Sequence, residues 1–318
     1  MAQTAESINE TINDSILRSF YYYDIMPLRK NGDGKYEEEK DQQGILYSAF
    51  KRVNALFKNK EQEKLIISLD NGERVYIIPD EVSEGAPIKF RLVLVRIDGL
   101  PLVEQEGKLI SLTDFIDNDF GLAEIVHCVI FPKYGILGAE YNFSGARVTC
   151  LKEYLPKVVQ DIEYLYCVPH FRQDVFQQLV DNESLSLFQL EIKNTVETRQ
   201  YIYDSHSVFL APFLQIPDND TYEVTIKRRK GKSKKGFQSP MSSNEMKALI
   251  ENCSDDIKTF KISQGAVRRD AIDLLGQKVV HKTDVTRTAN KHVDSSDAYR
   301  IIVEFFNGKL KGTMQPRS

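Results

Sequence analysis

The dipeptide Asn71-Gly72 lies between two apolar, strand-like stretches, KLIISLD and ERVYIIP. Asn-Gly is the preferred two-residue turn of an antiparallel hairpin, because both central residues take positive φ there. The spacing therefore predicts a hairpin over residues 64–78. IKFRLVLVRID (88–98) alternates Phe90, Leu92 and Leu94 with charged Arg91 and Arg96, and SILRSFYYYDIMPL (15–28) is β-branched and aromatic up to Pro27; both patterns predict strands. AEIVHCVIFPKYGILGAEYN adds two more, joined near residues 132–135.

Helical spacing appears between these strands. Leu46, Phe50, Val53 and Phe57 share one face of GILYSAFKRVNALFKN, and such a stripe must bury itself against a sheet. Short helices are expected over LISLTDFID, FSGARVTCLKEYLPKVV (ended or kinked by Pro156), FRQDVFQQLVDN, HSVFLAPFLQ, NEMKALIENC and DAYRIIVEFFNGKL. Strands are expected over EYLYCVPH, SLSLFQLEIKN (Leu185, Leu187 and Phe188 inward), TYEVTIKRRK and around 257–283. The order lacks regular βαβ alternation, so the expected class is α+β with mixed, mainly antiparallel sheets and flanking helices.

With 318 residues, the chain exceeds the size at which one core usually stops growing, roughly 250–300 residues. Two domains are expected, 1–155 and 156–318. A hydrophobic content of 42% with 28% charged residues is that of an ordinary folded protein. No apolar run reaches the roughly 18–20 residues of a membrane span, and the polar start MAQTAESINETINDS lacks the pattern of a signal peptide. The expected location is the cytoplasm, with Cys128, Cys150, Cys167 and Cys253 reduced and mostly buried.

Reactive chemistry finds little support in the motifs. NGDGKYEEE places Tyr36 and Gln42 where a calcium loop needs Gly and Glu. Phosphate-binding glycine loops and the G-x-S-x-G elbow are absent. His127, Cys128, Cys167 and His170 are zinc-type ligands, yet adjacent strand residues point to opposite faces, so no metal, cofactor or catalytic residue is assigned. A metal-dependent nuclease or toxin with Glu140, Asp161 or Asp174 in its site stands as the enzymatic alternative.

Charge is distributed unevenly. Residues 221–318 hold 20 of the chain's 42 Lys and Arg but only 11 of its 46 Asp and Glu, leaving 22 against 35 elsewhere. KRRKGKSKK packs seven cations into residues 227–235 of a chain whose net charge is −4. Such a run is ordinarily a solvated loop, but no acidic run offsets this one, and its surroundings are also positive. The predicted phosphate contacts are Lys227, Arg228, Arg229, Lys230, Lys232, Lys234 and Lys235, extended by Arg268, Arg269, Lys278, Lys282, Arg287 and Lys291. Cations on one surface bind phosphates by counterion release, without reading sequence. No base-reading helix or stacking platform accompanies the run, which favours double-stranded DNA. Docking of an acidic partner or an anionic membrane face is the remaining alternative.

The order of elements resembles that of the RexA-like proteins of phage exclusion and, more distantly, KwaB of the Kiwa system. The likeness is carried by FGLAEIVHCVIFPKYGILGAEYNFSGARVTCLKEYL (120–155), then by 185–235 and 257–310. It implies a cytosolic homodimer that binds duplex DNA non-specifically. A separate membrane protein, encoded nearby, would execute the antiviral response.

Overall fold

The computed structural model describes residues 14–33, 36–69, 72–97, 102–105, 107–111, 121–172, 184–228, 236–253, 256–264 and 271–317. The fold is α+β, as expected. The chain divides into two compact units, Met1–Cys167 together with Val280–Ser318, and Val168–Val279. A single boundary between residues 155 and 156 is thereby corrected. The reason is a strand pairing: residues 280–286 lie antiparallel against 15–21, in register from Ser15–Thr286 to Tyr21–Val280, so the chain returns to its first unit after building the second.

The first unit is built on β1 (Ser15–Lys30), β2 (Tyr36–Glu38), β3 (Ile67–Ser68), β4 (Arg74–Glu81) and β5 (Ile88–Arg96), a small hairpin β6 (Leu102–Gln105) and β7 (Lys108–Ser111), then β8 (Leu122–Phe131), β9 (Ile136–Tyr141) and β10 (Tyr164–Pro169). Its main sheet runs β10-β1-β9-β8-β5-β4-β3, with β2 also on β1. The β3–β4 hairpin forms as predicted, but Leu69 N–H closes on Glu73 C=O at 2.8 Å, so three residues intervene. Gly72 takes φ +83° there, a conformation that costs a residue without Cβ nothing. Pro27 does not end β1, because Leu28 to Lys30 still pair with Glu38 to Tyr36.

Helix α1 (Gln42–Lys58) starts at Asp41, whose carboxylate accepts the Gly44 N–H at 2.8 Å. Such a cap contributes about 1 kcal/mol. Leu46, Phe50 and Val53 are fully buried on the sheet, each adding roughly 1.5–3 kcal/mol. Helix α2 (Leu151–Val158) packs into the same core through Leu151, Tyr154 and Leu155, with Pro156 tolerated in its last turn. Leu109 to Ser111, expected in a helix, pair with β6 instead; residues 112–117 of that expectation lie outside the described residues.

The second unit is a four-stranded sheet, β12-β11-β13-β14, formed by β11 (Leu185–Lys193), β12 (Thr221–Lys227), β13 (Ile257–Gln264) and β14 (Ile272–Asp273). Phe188, Leu190 and Ile192 of β11 and Phe260 and Ile262 of β13 point to its core, against Leu249 and Ile250 of a helix at Ser243–Cys253. Leu187 turns the other way, since the β11–β13 register shifts between Leu185 and Leu187. The helix expected over 206–215 does not form; α3 (Val196–Ser205) precedes it instead, started by Thr195, which accepts the Thr198 N–H at 3.2 Å, and ended at His206. A 3-10 turn, Ala211–Gln215, follows. The Ser243–Cys253 helix is α4, and the helix expected over 171–182 falls almost wholly outside the described residues.

The returning strand β15 (Val280–Thr286) leads into α5 (Ser295–Phe305), which covers the second face of the main sheet. Packing there is close. The Tyr22 hydroxyl donates to Ile302 C=O at 3.1 Å, Phe131 stacks on Phe306 at 3.8 Å between ring centroids, and a Cβ at Gly138 would collide with Ile302 Cγ2 and come within 2.9 Å of Tyr22.

Candidate nucleic-acid interface

The basic run begins at the open edge of the second unit. β12 pairs antiparallel with β11 from Lys193–Thr221 to Leu187–Lys227, which brings exposed Lys227 to the start of β11. One step further, the Arg228 N–H donates to Ser186 C=O at 3.0 Å. The chain rejoins β11 at Phe237, which exchanges two backbone hydrogen bonds with Leu185, at 2.7 and 2.9 Å. The two anchors of the run, Arg228 and Phe237, thus bind neighbouring residues of β11, Ser186 and Leu185. Gly236 permits that return, since a Cβ there would strike the Leu185 carbonyl and lie 2.9 Å from Ser184 Cβ. Arg229, Lys230, Lys232, Lys234 and Lys235, between the two anchors, lie outside the described residues.

A second cationic connection leaves the same end of this sheet. β13 finishes at Gln264, opposite Leu185, and the chain resumes in β14, where Ile262 pairs with Ile272. The intervening sequence, 265–271, contains Arg268 and Arg269, which also lie outside the described residues. Lys278 belongs to this unit as well, half-buried in a bridge to Phe171. In sequence, residues 227–235 and 265–271 together carry nine cations against Asp270; Asp181 and Glu183 precede β11.

The outer face of the sheet differs from this end. Glu223, Thr225 and Lys227 face outward on β12, with Gln189 and Glu191 beside them on β11. Hydrogen bonds from Thr225 (2.6 Å) and Gln189 (2.8 Å) hold the Glu223 carboxyl below its ordinary range. Glu191 accepts from Thr259 at 3.0 Å. Two carboxylates therefore sit at mid-sheet on neutral donors.

Lys282, Arg287 and Lys291 belong to the other unit. Lys282 is exposed on β15 opposite Ser19, and Lys291 is exposed in the turn before α5, at φ +61°. Arg287 Nη1 lies 3.6 Å from Asp14 Oδ1. The predicted track is thus divided between two units, and one of its cations already faces a carboxylate.

Of the residues considered for metal chemistry, His127, Glu140 and Cys128 have other roles. His127 on β8 and Glu140 on β9 are buried together: His127 Nδ1 lies 2.7 Å from Glu140 Oε2, and Arg18 Nε donates to Glu140 Oε1 at 3.0 Å. Cys128 points into the opposite core, where burial pushes its thiol well above the ordinary range. Among the described residues, no three His, Cys, Asp or Glu side chains converge as metal ligands. Asp174 lies outside the described residues. No motif singles out Ser295, whose Oγ lies 2.9 Å from His127 Nε2. No protein-family model and no curated protein matches this chain.

Proposed function

We propose that the protein binds duplex DNA without sequence preference, through the cationic end of its four-stranded sheet. On the resemblance to RexA-like and KwaB proteins, it serves as the cytoplasmic, homodimeric sensor of an anti-phage system. The membrane step of such a system belongs in this reading to a second protein; among the described residues, no helix is long and apolar enough to cross a membrane.

The observation that carries the DNA reading is the shared anchor of the two cationic connections. Their described anchors meet at Leu185: Phe237, where the first connection ends, and Gln264, where the second begins, lie on either side of it. A duplex presents one phosphate per roughly 1.7 Å of axis, so clustered cations there would release several counterions. Fluorescence anisotropy with two unrelated duplexes tests it. Similar affinities that fall steeply with salt are expected, as is a large loss when the seven cations of 227–235 become Gln or Ser. Unchanged binding in that variant removes the assignment. Weak competition by DNA against an acidic protein or anionic vesicles would favour the docking alternative. Affinity capture with the neighbouring membrane protein tests the sensor role, and light scattering tests the dimer.

A further inference from the structure

The first unit holds a second set of polar side chains, remote in purpose from phosphate binding. His127 is 3% exposed and Glu140 4% exposed, beneath helix α5. Burying a carboxylate with an imidazole costs more than burying an apolar pair of similar volume, so packing alone does not account for them.

Their geometry is directional. A carboxylate only accepts hydrogen bonds, so Glu140 Oε2 fixes the proton of His127 on Nδ1, at 2.7 Å. Nε2 is then the acceptor for the Ser295 hydroxyl, at 2.9 Å. Arg18 holds the other carboxylate oxygen at 3.0 Å. The order is nucleophile, base and orienting acid, each within hydrogen-bond reach of the next.

Ser295 also reaches solvent. It lines a cleft of about 620 Å³ with Asp80, Glu81, Lys89, Tyr299 and Val303, within the size range of small-molecule sites. The charges of this cleft are largely matched to one another. Arg91 grips Asp80 through two hydrogen bonds of 3.0 and 2.8 Å, Tyr299 donates to the same carboxylate at 2.5 Å, and Lys89 lies 2.6 Å from Glu81. Ser295 and Ser296 open α5, where backbone N–H groups have no carbonyl of their own helix to donate to.

We propose that Ser295, His127 and Glu140 form a hydrolytic relay acting on a small carboxylic ester in this cleft. Ser295 Oγ attacks the carbonyl carbon while its proton passes to His127 Nε2. The tetrahedral oxyanion collapses, the bond to the alkoxy oxygen breaks, and His127 protonates the leaving alcohol. Water then attacks the acyl-serine ester, His127 takes one of its protons and returns it to Ser295, and the carboxylic acid departs. Ester and water become acid and alcohol, with no oxidant or reductant required. Ser295 and His127 are the catalytic residues; Glu140 and Arg18 are positioning residues.

The full-length protein is incubated with a fluorophosphonate probe, and the adduct is mapped by peptide mass spectrometry. Turnover of p-nitrophenyl butyrate is followed in parallel. A single adduct on Ser295 is expected, lost in Ser295→Ala and kept in Ser296→Ala. Ser295→Ala should also lower turnover by at least about a hundredfold. Glu140→Gln should lower kcat by roughly 100-fold or more with KM little changed. Folded wild-type protein that gives no adduct, or an adduct on another residue, overturns the proposal, as does turnover indifferent to Ser295→Ala. Mapping on the wild type decides the matter even where a variant fails to fold.

Discussion

Leu185 and Phe237 exchange both backbone hydrogen bonds across the edge of the second sheet, while Gln264 flanks Leu185 on its other side. Leu185 thus marks where one cationic connection returns to the sheet and where the other leaves it. Changing Arg268 and Arg269 together to Gln should lower duplex affinity and reduce the slope of log K against log salt by about two, near 0.9 for each phosphate no longer neutralised. Anisotropy titrations over a salt series measure the slope. An unchanged value would separate the 265–271 connection from the binding surface.

Arg287 should matter less. Its guanidinium already faces Asp14 at 3.6 Å, and an exposed pair of this kind presents little net potential to a third charge. Arg287→Gln is expected to leave duplex affinity within about twofold, by the same titration.

Gly138 is where helix α5 lies directly on β9. In Gly138→Ala the new methyl meets Ile302 of α5 and Tyr22 of the neighbouring strand β1, both fully buried. Overpacking of this sort costs about 1–3 kcal/mol. Urea denaturation should show a lower midpoint with an unchanged m-value, and wild-type stability would mean that α5 is free to shift.

Tyr201 gives the second unit an alkaline sensitivity. Burial, with lesser contributions from Cys253, Glu245 and Glu251, pushes its hydroxyl from 10.0 up to about 12. The folded state therefore holds this proton when the unfolded chain has released it, and stability falls as pH rises from about 10 towards 12. Below about pH 10 the contribution is fully present. Urea midpoints measured at about pH 9, 10 and 11 should fall in the wild type and fall less in Tyr201→Phe.

Much of the fold was legible locally. Period-two alternation marked β5 and β11, Asn71-Gly72 marked a hairpin, and Leu46, Phe50 and Val53 marked the buried face of α1. The remainder depended on partners distant in sequence. Nothing near Ser15 announces Val280–Thr286 as its neighbour, so the second unit's place within the first could not be read. The inward side of β11 was misjudged at Leu187 because a register shift breaks the alternation there. HSVFLAPFLQ drew attention by its apolar content, whereas Thr195 with its cap hydrogen bond sets the helix start. In the candidate interface, composition exposed the charge of 227–235, but only strand order brings Gln264, from which 265–271 departs, to the same residue of β11 as Phe237. His127, Glu140 and Ser295 come from β8, β9 and α5, with no short motif to join them.

The pairing of β1 with β15 imposes a schedule on synthesis. When residues 15–21 leave the ribosome, their partner strand and the helix that covers their sheet are yet to be translated. Residues 168–279 are complete earlier and hold a core of their own, so they can settle first, while the opening strand waits with an unpaired, partly apolar edge. A nascent chain halted before residue 280 would be the species most in need of a chaperone.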